Sequence, residues 1–71
     1  MDKPQMSREV GIRHVDELTH RIIMHATPDA QTDFEEFGTL TRDIHGAHCL
    51  HVDARMNFAE VLTYIGQYGR P

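Results

Sequence analysis

Sixteen valine, isoleucine, leucine and phenylalanine side chains, spread from Val10 to Ile65, are the main apolar material this 71-residue chain has for a core. A domain this short buries only about 60% of the surface its unfolded form exposes. Nearly every one of those side chains must therefore face inward, in a single domain over 1–71 with one two-layer core. A small-molecule cleft of roughly 300–1,000 Å3 would have to be carved from that same core. The expectation is a non-enzymatic protein.

The apolar spacing predicts a mainly α domain of three helices. Val15, Leu18, Ile22 and Ala26 recur at helical intervals and place a first helix over 14–26, ended by Thr27–Pro28. On that helix Met24 falls opposite the apolar stripe, as an exposed contact residue. Thr32–Asp33–Phe34–Glu35 reads as a capping box opening a second helix over 32–45, with Phe34, Phe37, Thr41 and Ile44 on one face and Gly46 as its stop. An alternative start takes Thr27 as cap with Pro28 at the first helical position. Asn57, with Glu60 three residues on, opens a third helix over 57–68 whose apolar face is Phe58, Val61, Leu62 and Ile65. Two segments alternate instead: 9–13 and 48–52. Pairing them gives an α+β variant with a short two-stranded element. Residues 1–7 are polar, contain Pro4 and read as a flexible arm.

The densest chemistry lies between His45 and Asp53, where His45, His48, Cys49 and His51 are candidate metal ligands of a kind zinc accepts. Strand alternation divides them, with His48, Leu50 and Val52 on one face and Cys49 and His51 on the other. The separated second ligand pair of a structural zinc site is missing, although His14, His20 and His25 are additional imidazoles. The main expectation is no cofactor, with a zinc-stabilised domain as the third functional reading. Six histidines also allow the formal charge to move from −4 toward +2 on acidification. Cys49 beside two imidazoles has candidate bases, but an activated thiolate needs exposure and an oriented base as well. No phosphate-binding glycine loop or dinucleotide fingerprint is present.

The lone cysteine excludes an intramolecular disulfide, and the longest apolar run, Ile22–Met24, is far short of the about 20 residues that cross a bilayer. With no leader-like N-terminal segment, these features suggest a cytoplasmic protein. The seven basic residues are scattered, against the clustered footprint usual in nucleic-acid binding. The roughly ten residues between Gly46 and Phe58 are too many for the turn of a helix-turn-helix. The leading expectation is a small regulatory or inhibitory protein that binds a larger protein or assembly. Phage-encoded modulators of host transcription machinery exemplify that class. Its contact residues would be Lys3, Arg8, Arg13, Met24, Tyr64 and Tyr68, since arginine and aromatic side chains concentrate binding energy. A nucleic-acid-binding transcriptional regulator is the alternative.

Overall fold

The Asp16 carboxylate accepts hydrogen bonds from the amides of Leu18 (3.1 Å) and Thr19 (3.2 Å), and this turns the chain back on itself. His20 completes the reversal at φ 57°, in a left-handed region that histidine enters more readily than most residues. The computed structural model, which describes residues 8–68, accordingly begins with a hairpin. Its elements are β1 (Val10–Asp16), β2 (Arg21–Ala26), α1 (Pro28–Phe34), β3 (Gly38–Arg42), β4 (His48–Val52) and α2 (Phe58–Gly66).

The strands form one antiparallel sheet in the order β1-β2-β4-β3. β2 and β3 both run antiparallel to β4, so they are parallel to each other, and α1 makes the crossover between them that parallel strands need. Side chains alternate across the sheet. On one face Ile22 and Met24 of β2 meet Leu50 and Val52 of β4. Ala30 and Phe34 of α1 and Val61 and Ile65 of α2 close over them, completing one buried cluster. Burying a side chain of this size contributes roughly 1.5–3 kcal/mol.

Local chemistry fixes the helix ends. Pro28 starts α1 with a φ suited to the first turn, after an extended Thr27. The Asn57 side chain caps α2 by accepting from the Glu60 amide at 3.0 Å. The two helices are tied by aromatic rings: Phe34 meets Tyr68 edge-on at 4.9 Å, and Phe37 meets Tyr64 at 5.4 Å. The Tyr68 hydroxyl donates to Asp33 on α1 at 2.9 Å, and Arg8 pairs with the same carboxylate at 3.1 Å.

The mainly α, three-helix expectation is therefore overturned, and the fold is α+β. The segment 14–26 is not a helix but the greater part of the β1–β2 hairpin, with Leu18 95% exposed at its turn. The segment 32–45 is not one helix either. Thr32 lies inside α1, donating its hydroxyl to the Pro28 carbonyl, and the chain then turns and becomes β3. The alternative start at Thr27–Pro28 is the one observed. Gly46 does adopt a left-handed φ of 85°, but in the β3–β4 turn. Strands do occupy 10–16 and 48–52, yet they do not pair with each other, because β2 lies between them. The third helix is present as 58–66.

Two glycines should respond oppositely to alanine. A Cβ at Gly38 would overlap the His51 carbonyl oxygen and lie 2.9 Å from the Asp53 amide, both rigid backbone atoms of β4 and its exit. Gly38→Ala is expected to lose about 2–3 kcal/mol in urea unfolding, in line with overpacking. A Cβ at Gly66 meets nothing within 4 Å, so Gly66→Ala is expected to gain about 0.5–1 kcal/mol by favouring the helix.

Candidate functional site

Both helices lie on one face of the sheet, and among the described residues no element covers the other. The strand register assembles that open face from residues far apart in the chain. His14, Ile23, Cys49 and Thr41 align in one row across the four strands, and Asp16, Arg21, His51 and Thr39 in the next. Ile23 and Cys49 are half-buried at the centre, while His14, Arg21, His25, Thr39, Thr41 and His51 are exposed around them. A bulge in β1 between Ile12 and His14 frees Arg13 from the pairing, and its guanidinium reaches the His25 ring at 2.9 Å. A guanidinium only donates. His25 therefore accepts at Nε2 and carries its proton on Nδ1.

The charge on this face is segregated. Among the described strand residues Asp16 is its one carboxylate, at a corner and engaged in the hairpin turn. The other described acidic residues lie on the helices, in the connecting segments or, in the case of Glu9, just before β1. A chain of formal charge −4 thus presents a face bearing, among the described residues, two arginines and three imidazoles. All three phenylalanines and both tyrosines belong to the helices, the segment joining α1 to β3 or the turn after α2.

His48 stands apart. It belongs to the helix-side face of β4 and is 8% exposed, and neither ring nitrogen has a hydrogen-bond partner. Desolvation, followed by the charges of Arg42 and His25, holds its pKa below the ordinary imidazole value, with only Asp43 acting the other way. The ring borders a shallow cleft of about 430 Å3 at the end of the sheet, together with Glu9, Val10, Gly11, His25, Ala26 and Thr27.

The residues singled out from sequence scatter over this framework. Met24 is fully buried in the core, because β2 is a strand and its even-numbered side chains face the helices. It is not a contact residue. Arg13 lies on the open face. Arg8 is engaged with Asp33, and Tyr64 and Tyr68 sit on the helical side, their hydroxyls 3.0 Å apart. Lys3 lies outside the described residues. Of the candidate ligands, His45 is exposed in the β3–β4 turn, His48 is on the helix side, and Cys49 and His51 are on the open face. Among the described residues, no three His, Cys, Asp or Glu side chains come together as a metal site. The alternation that separated His48 from Cys49 and His51 was correct. Missed as site residues were Arg21, Ile23, Thr39 and Thr41, for which the linear sequence carries no distinctive spacing. No protein-family model matches the chain, and no curated protein or solved structure matches it either.

The His48 environment has a measurable consequence. The unfolded imidazole binds a proton near pH 6.5, while the folded one resists until lower pH. Stability should be flat above that value, fall as pH drops below it, and stop falling on this account once the folded ring is protonated. Asp16, held below 3.8 by hydrogen bonds from Thr19, and Asp53, held down by the Arg55 side chain, titrate well beneath this window. Replacing an unpartnered buried polar group by an apolar one is neutral or stabilising. His48→Leu is expected to flatten urea midpoints between pH 6.5 and 5 without loss of stability at pH 7.5.

Proposed function

We propose that this chain is a small, non-enzymatic regulatory protein that acts by docking its open sheet face onto an acidic surface of a larger protein. The observation that carries this reading is the charge segregation. Arg13 and Arg21, with His14, His25 and His51, surround an apolar centre of Ile23 and Cys49, while Asp16 at the corner is the one carboxylate among the strand residues of this face. An apolar centre ringed by arginine and imidazole has the anatomy of an interface, in which a desolvated core is enclosed by a polar rim. Complementary charge then steers encounter and fixes orientation.

Chemistry on a bound substrate has little support. The half-buried Cys49 is the one thiol, and its sequence neighbour His48 is turned to the other face of β4. Nucleic acid is the second class of anionic partner, but sheets that read single strands stack bases on aromatic side chains of the open face. This face has none, its aromatic rings being spent on the helical side.

The test is retention of a stoichiometric partner from lysate by the tagged full chain, with nuclease present. The R13E/R21E variant is expected to lose that partner, whereas E60K, on α2, is expected to keep it. Loss with E60K and retention with R13E/R21E would place the interface on the helical side. Salt-dependent retention of DNA or RNA by the native chain, abolished by R13E/R21E, would favour the nucleic-acid reading.

A further inference from the structure

The sheet has two edges, and they are not alike. β1 carries a bulge and the charged Arg13, devices that discourage pairing with another strand. β3 has no bulge: Gly38–Thr39–Leu40–Thr41–Arg42 keeps an unbroken register, contains no proline, carries its one charge only at its last residue, and is paired on one side only.

The hydrogen-bond phase of β3 follows from its two ends. The Asp53 amide donates to the Phe37 carbonyl at 2.7 Å, and the Asp43 amide donates to the Ala47 carbonyl at 2.8 Å. Both are directly opposed pairs in the register, so odd-numbered residues of β3 turn their backbone groups toward β4. Gly38, Leu40 and Arg42 therefore direct their amides and carbonyls away from the sheet. Among the described residues, no backbone hydrogen bond from beyond the sheet reaches them.

We propose that β3 pairs with β3 of a second copy of this chain, antiparallel about a two-fold axis through Leu40. This register is self-consistent at every position. Leu40 opposes Leu40 of the second copy, and Gly38 opposes Arg42 in both directions, as hydrogen-bonded pairs. Three such pairs use every outward amide and carbonyl of both strands. Thr39 opposes Thr41 twice on the open face, a favourable cross-strand combination. Each residue i that meets j is matched by j meeting i, which is the isologous form of a two-fold contact. The two Arg42 residues are separated along the strands by roughly 14 Å, given about 3.4 Å rise per residue, so they do not oppose each other. Glycine opposite each leaves space for its side chain.

Two further features fit the same occupant. Ile44, 94% exposed just beyond β3, is carried past the end of the other strand, toward the 35–37 turn and its half-buried Phe37. Leu40, half-buried at the edge of the core, gains cover from its counterpart. The product is an eight-stranded sheet with both helical layers on one side and both open faces on the other. This inference stands on the edge geometry and does not depend on the proposed partner.

Sedimentation equilibrium of the full chain tests it. The native protein is expected at twice its 8.2 kDa mass. Thr39 and Thr41 are exposed, so both can be charged without touching the core. T39K/T41K sets lysine against lysine twice and is expected to yield a folded monomer. T39E/T41K sets glutamate against lysine twice and is expected to remain dimeric, with circular dichroism confirming the fold of each. A monomeric native chain, or a T39K/T41K variant still dimeric, would overturn the proposal. Should either double variant fail to fold, Leu40→Cys in a Cys49→Ser background supplies the second measurement. The paired Cα atoms would lie about 5.5 Å apart, within disulfide reach. Oxidation is expected to give a covalent dimer, and its absence would contradict the two-fold register.

Discussion

The pairing of β2 with β4 is the contact on which the molecule depends. It brings together segments roughly thirty residues apart and sets Ile22 and Met24 beside Leu50 and Val52 on one face. Only a sheet with that apolar face gives Phe34, Val61 and Ile65 something to cover. α1 has seven residues and α2 nine, lengths at which an isolated helix is marginal in water. They persist because the sheet receives their buried side chains, and the sheet in turn needs them, since its four strands have no second layer.

This economy accounts for the open face. A chain with so few large apolar residues can fill one layer of core but not two. The side of the sheet away from the helices is left to arginine, histidine and threonine, with only Ile23 and Cys49 half-covered among them. His48 shows the same alternation acting against the chemistry of a residue. Its place on β4 commits an imidazole to the helix side, where neither nitrogen finds a partner. Cys49 and His51, its neighbours in sequence, face the other way.

Features written in adjacent residues were legible from sequence, and those made by distant pairing were not. The Asn57–Glu60 cap and the apolar spacing of α2 are local, and the structure retains them. So is the alternation of 48–52. In the first hairpin Val15, Leu18, Ile22 and Ala26 fall at helical intervals by coincidence, although the segment forms strands. Its turn contains neither glycine nor proline and relies on an Asp16 side chain and a left-handed His20. Leu18, counted toward a buried stripe, is instead nearly fully exposed. Likewise Phe34 and Phe37 looked like one helical face, whereas Gly38 starts a strand at a point where β4 leaves no space for a Cβ. The candidate site was still less legible. Arg13, Arg21 and His51 come to share one face only through a register that no local pattern encodes.

Cross-strand nuclear Overhauser contacts test the β2–β4 pairing most directly. The Val52 amide donates to the His20 carbonyl at 2.8 Å, which makes Ile23–Cys49 and Arg21–His51 the pairs without direct hydrogen bonds, whose Cα atoms approach most closely. Strong Hα–Hα contacts are expected for those two pairs in the native protein. Their absence, with sequential helical contacts running through 14–26 instead, would contradict the account.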